Sequence, residues 1–102
     1  MALQNYFESF FAGMFLANFV PHFVNGFSGD PFPTPFSSPP GKGLSSPLVN
    51  VLWGLLNLVV ACVLLRLGRV FAGGNLTLAI FFAGVVLISI LSSVNFAKKL
   101  RS

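Results

Sequence analysis

Asn18, His22 and Asn25 recur at i, i+4 and i+7, and Asn50 and Asn57 recur seven apart with Gly54 and Ala61 on the same repeat. On a helix each set occupies one face. Imidazole titrates near neutral pH and can relay a proton or hold a ligand. Carboxamides in an apolar setting seek hydrogen-bonding partners and can line a polar path. Asn18, His22, Asn25, Asn50 and Asn57 are therefore the candidate polar lining. The structural reading of the same residues is packing: His22 at headgroup depth bonding a nearby loop, and the Asn50/Gly54/Asn57/Ala61 stripe holding two helices together. Pro21 precedes His22 and cannot donate to the carbonyl of Ala17, which loosens that turn.

Other chemistries find no support in the chain. Glu8 and Asp30 are its only carboxylates, and no nucleophile–base constellation accompanies them. One His and one Cys per chain leave a zinc site out of reach unless subunits share it. Gly41-Lys42-Gly43 lacks the spacing of a phosphate-binding loop, and no stretch interleaves basic residues with aromatics as a nucleic-acid surface would. Cys62 is the sole cysteine, so no intrachain disulfide forms. Asn75-Leu76-Thr77 matches a glycosylation acceptor only by pattern, because it abuts an apolar run. The expectation is a non-enzymatic chain with no cofactor and no nucleic-acid partner.

The elements that carry these residues follow from composition. The 102 residues are 55% apolar and 8% charged, with a mean hydropathy of +0.86. Soluble domains carry about 25% charged residues, so much of this surface must face something other than water. A helix needs about 20 apolar residues to cross roughly 30 Å of hydrocarbon. Charge-free stretches predict three spans, at about 5–27, 47–65 and 75–97, in a single membrane domain covering 1–102. The N-terminus has no Lys or Arg and no Ala-x-Ala follows the first run, so that span is expected to stay rather than be cleaved as a signal peptide.

Local signals mark the ends. Ser45, Ser46 and Pro47 read as a cap followed by proline at the first helical position. Asn75 reads as the cap of the third helix. The short Gly-rich connection before it predicts a hairpin of antiparallel neighbours between the second and third spans. Lys98, Lys99 and Arg101 follow the last turn, where they favour the helix dipole and reach headgroups. The 28–46 segment holds five prolines, five serines and three glycines, which exclude a regular helix. Phe32, Phe36 and Leu44 are spaced along it, so an interfacial loop capping the bundle is expected. A re-entrant loop would need protein or water to satisfy its backbone.

Two further patterns concern packing. Phenylalanine recurs every four residues from Phe7 through Phe11, Phe15, Phe19 and Phe23 to Phe27. Each step advances about 400°, so the ridge drifts by about 40° and serves either as an aromatic packing ridge or as lipid-facing bulk. Ala79, Ala83, Gly84, Ser89 and Ser93 stand at small-xxx-small spacing in the third span and predict a helix-contact face. By the positive-inside rule, Lys42, Lys98, Lys99 and Arg101 outweigh Arg66 and Arg69 and place the C-terminus in the cytoplasm.

The run Asn18-Phe19-Val20-Pro21-His22-Phe23-Val24-Asn25-Gly26, the Pro35-Phe36 pair, Pro39-Pro40-Gly41, and Ser45-Ser46-Pro47 leading to Asn50 and Trp53-Gly54 resemble a family of small, uncharacterised bacterial integral membrane proteins. The resemblance covers about the first 60 residues. It implies a bacterial inner-membrane setting and no particular activity. The sequence resembles neither small multidrug-resistance transporters nor fluoride channels.

The fold expected is an all-α membrane protein of three helices with a Pro/Ser/Gly/Phe-rich loop between the first and second. Three helices can only partly bury two polar stripes, so association with further copies or a membrane-protein partner is expected. The leading functional expectation is a permeation or transport protein for a small solute or ion, its path lined by Asn18, His22, Asn50 and Asn57 and gated by the loop. The alternative is a non-catalytic accessory or structural subunit whose stripes are packing faces.

Overall fold

Long charge-poor runs become helices here because a helix satisfies every backbone polar group within its own segment, the condition for crossing hydrocarbon. In the computed structural model, which describes residues 3–97, three helices form: α1 (Leu3–Phe27), α2 (Pro47–Leu67) and α3 (Asn75–Phe96). All three are long and apolar enough to cross a membrane, and no β-strand forms among the described residues. At 1.5 Å per residue even α2, with 21 residues, is about 32 Å long and matches the hydrocarbon thickness. The molecule is an all-α integral membrane protein. α1 begins two residues earlier than the charge pattern indicates, α2 runs two further to take in Arg66, and α3 stops one sooner.

The caps are partly as expected. Ser46 is the N-cap of α2, its side chain accepting from the Val49 amide, with Pro47 in the first helical turn. Asn75, by contrast, does not cap α3: it is the first helical residue, Gly74 holds the cap position with φ +89°, and no side chain caps that end. Thr77 instead donates its hydroxyl back to the Gly74 carbonyl at 3.1 Å. The expected closing role of Lys98, Lys99 and Arg101 lies outside the described residues.

The main correction concerns which helices are neighbours. α2 runs antiparallel to α3 across the short connection, yet their backbones do not approach each other, and both pack closely on α1. Glycine decides this. A methyl group at Gly13 would overlap the carbonyl oxygen of Phe81, and one at Gly84 would overlap that of Phe10. The backbones of α1 and α3 therefore touch where neither carries a side chain, the close approach that small residues permit in membranes. Gly54 does the same for α2, where a methyl would lie 3.1 Å from the Phe23 nitrogen of α1. With α1 claimed from two sides, α2 and α3 are held apart and a cleft opens between them.

At one end Ala12, Val70 and Phe81 form a buried cluster, joined by Leu64, Leu65 and Leu78. There Asn5 of α1 donates to the Leu67 carbonyl, satisfying an acceptor that the end of α2 leaves open, while the Ser9 hydroxyl donates to the Asn5 carbonyl at 2.7 Å and lies 3.3 Å from that of Gly68. At the opposite end the 28–46 loop folds back over the bundle. Phe32 and Ser45 exchange backbone hydrogen bonds, and Thr34 and Ser45 join their hydroxyls at 2.6 Å. Phe32 is buried against His22 and Phe96, while Phe36 stands exposed with its ring edge-on to Trp53.

Candidate functional site

Two chains of hydrogen bonds start from α2 and end on α1. Asn50 is fully buried, and its Nδ2 approaches three carbonyls, those of Phe32 at 2.8 Å, Ser46 at 3.0 Å and Ser45 at 3.2 Å. An amide nitrogen so placed leaves Oδ1 as the atom that meets His22 Nδ1, at 2.9 Å. Oδ1 only accepts, so His22 Nδ1 carries the proton and donates. Nε2 of the neutral ring is then a bare acceptor, and it has no partner among the described residues.

The second chain lies about a turn deeper. Asn57 Nδ2 donates to the Trp53 carbonyl at 2.7 Å, which leaves its Oδ1 to accept from Asn18 Nδ2 at 3.0 Å. Asn18 Oδ1 is left over as a second acceptor. Asn18 and His22 are one helical turn apart, so the two acceptors share one face of α1. Trp53 completes the group: its indole N–H is buried without any acceptor. Buried donors without partners are uncommon and costly, and this one is enclosed by protein.

Of these residues Asn18, His22 and Trp53 line a cavity of about 370 Å³ beneath the loop, together with Phe96 and with Thr34 and Pro35 of the loop, whereas Asn50 and Asn57 lie behind it. His22 meets Phe32, Trp53 and Phe96 edge-to-face at ring separations of 5.4–6.4 Å. Two smaller hollows lie beside it, one of about 270 Å³ between α1 and α3 next to Ile88 and Leu91, and one of about 140 Å³ where Met14 and Phe15 of α1, Asn57 of α2 and Ile88 of α3 converge. Asn18 and Ile88 border both. A separate apolar groove of about 660 Å³ lies on the other flank of α3, against Leu16, Val20 and Phe82.

The expected residues divide clearly. Asn18, His22, Asn50 and Asn57 come together, with the two stripes meeting face to face. Asn25 does not join them; its Nδ2 turns back to the Pro21 carbonyl at 2.7 Å. Gly54, Ala61 and Gly84 are buried at helix contacts, whereas Ala79, Ala83, Ser89 and Ser93 are exposed on the outside of this chain, Ser89 and Ser93 beside the apolar groove. The contact face of α3 instead runs through Thr77, Phe81 and Gly84, a spacing of four and three that the alanine–serine pattern obscures. Of the phenylalanine ridge, Phe7, Phe11 and Phe27 are exposed, as befits lipid-facing bulk.

Several residues of the site carried no clear sequence signal. Asn95 borders the cavity from α3 and aims its amide at the Gly41 carbonyl at a long 3.5 Å. Thr34, in the loop, was hidden among prolines. Gly13 could have been found, since Ser9, Gly13 and Ala17 repeat small residues every fourth position on α1. Compared with known proteins, the chain matches no family model, no curated protein and no solved structure. The site has to be understood from its own geometry.

Proposed function

We propose that this chain is a non-catalytic accessory or structural subunit of the membrane, in which the paired polar residues clasp α1, α2 and the loop into one unit. The observation that carries this reading is the pairing itself. Asn50 spends its amide on loop carbonyls and His22, and Asn57 spends its amide on α2 and Asn18. Side chains committed in this way hold the fold rather than exchange partners with a moving solute. The resemblance to small bacterial membrane proteins supports an inner-membrane setting, and the broad apolar flanks of α2 and α3 support association with a further membrane protein or another copy.

A second reading, permeation of a small solute or ion, draws support from the cleft. It descends from beneath the loop past Asn18 to the level of Asn57, near the middle of α1 and α2. Below that level the Ala12–Val70–Phe81 cluster closes it. A path would then have to be completed between copies.

The test replaces His22 by Phe and Asn57 by Leu, separately, in protein purified in mild detergent. The clasp predicts lower thermal stability for both and weaker assembly on native mass spectrometry, with no flux from wild-type proteoliposomes. Wild-type flux that either substitution abolishes, with stability unchanged, would replace the clasp by the permeation path.

A further inference from the structure

Beyond the clasp, we propose that the loop is a membrane-dipping anchor, with the Phe36 ring among lipid acyl chains beside α2 and the Ser38–Lys42 turn at the water-facing rim. Depth is the first argument. α2 spans the hydrocarbon from Pro47, and Trp53 stands about 9 Å further along its axis. The Phe36 ring is 5.3 Å from the indole and edge-on to it, so it lies level with the first turns of α2 rather than above its end. At that level Leu48 and Leu52 already face outward from the bundle. Phe36 is itself 68% exposed, against 6% for Phe32 in the same loop. One phenylalanine seats the loop on the helices, and the other is presented outward.

The backbone is the second argument. Polar groups at hydrocarbon depth must be satisfied within the protein. Pro31, Pro33 and Pro35 have no N–H to satisfy. The amides of Phe32, Phe36 and Ser37 donate inside the loop, to the Ser45 carbonyl, the Thr34 hydroxyl and the Thr34 carbonyl in turn. The Thr34 and Ser37 hydroxyls are also spent, on Ser45 and on the Thr34 carbonyl. A turn bathed in water could leave these groups to solvent. Charge is the third argument. No charged side chain falls between Asp30 and Lys42. The turn leading to Lys42 meets the last turn of α3, where the Asn95 amide lies 3.5 Å from the Gly41 carbonyl. That turn has returned to the helix ends, where an ammonium reaches water and headgroups. Phe36 continues the lipid-facing surface of α2, so the bilayer itself covers it.

Spin-labelled variants in a Cys62→Ser background test the depth: Phe36→Cys, with Leu52→Cys as the lipid-facing reference and Lys42→Cys as the rim. In lipid nanodiscs, collisions with oxygen report hydrocarbon and collisions with a neutral nickel chelate report water. Position 36 should follow position 52, with an oxygen-to-nickel ratio roughly tenfold above that at position 42, because a polar chelate is excluded from hydrocarbon. A ratio matching position 42 would overturn the proposal and make the loop a water-facing cap. Shielding from both reagents would overturn it too, and assign Phe36 to a contact with another protein chain. Phe36→Trp combined with Trp53→Phe keeps an aromatic pair and carries the same test should the cysteine variant fail to fold. Its emission should be blue-shifted and quenched by bromine on the acyl chains. Red-shifted emission quenched by aqueous iodide would again overturn the proposal.

Discussion

Among the asparagines, burial and partner number set the energetic rank. Asn50 is completely enclosed and serves loop carbonyls and His22 together, whereas Asn18 is half-buried and makes one amide–amide bond. Polar contacts between membrane helices average about 0.6 kcal/mol and reach about 1.7. Removing a partner from an enclosed carbonyl adds a desolvation cost of about 1–3 kcal/mol. Asn50→Ala should therefore destabilise the fold by about 2–3 kcal/mol, and Asn18→Ala by about 0.5. Reversible unfolding in mixed micelles by SDS titration measures both. Equal losses at the two positions would mean that the loop is not held through Asn50. The same logic gives His22 its tautomer: an amide that has spent its nitrogen on carbonyls can present only oxygen to the ring.

For the helices, contact is a matter of where side chains are missing. α1 and α3 meet at Gly13 and Gly84, each under the other helix's backbone, so a side chain at either position has no space to enter. Gly84→Leu should separate the two helices and cost about 3 kcal/mol or more, beyond the usual range for overpacking because backbone cannot yield as a side chain can. Ala83→Leu, one residue away on the exposed side, should change stability by less than about 0.5 kcal/mol. Circular dichroism melts of the two variants compare them directly. A large loss at Ala83 alone would show that the outer alanine face is covered in the assembled protein. The loop depends on the helices in turn, since Phe32 is seated by His22 and Phe96, and Asn50 holds its carbonyl.

Across the whole molecule, the loop carries Lys42 at one end of the bundle, and Arg66 and Arg69 stand at the other. Together with Lys98, Lys99 and Arg101 in the sequence, the bias favours a cytoplasmic loop. In a Cys62→Ser background, Ser38→Cys should resist a membrane-impermeant maleimide added to intact cells, and Arg69→Cys should react. Both native side chains are exposed, so the contrast reads sidedness rather than burial. Reversed labelling would place the loop and its cavity on the outer face.

Much of this architecture was legible without coordinates, because crossing hydrocarbon imposes long charge-free helices and the chain has few charges to place elsewhere. Ser46-Pro47 announced the start of α2, and the proline-rich stretch announced a loop with apolar anchors. The facing of Asn18 and His22 toward Asn57 and Asn50 was only conditional in the sequence, since periodicity assigns a residue to a face and never names the face opposite. The short connection between α2 and α3 suggested neighbours, yet chain proximity lost to the glycine contacts that drew both helices onto α1. Asn75 lost its cap to Gly74, whose missing side chain permits a positive φ. Only tertiary packing could join Asn18, His22, Trp53 and Asn95 around one cavity, because its walls come from three helices and a loop far apart in the chain. Composition and periodicity set what each segment must bury; close backbone approach decided what it was buried against.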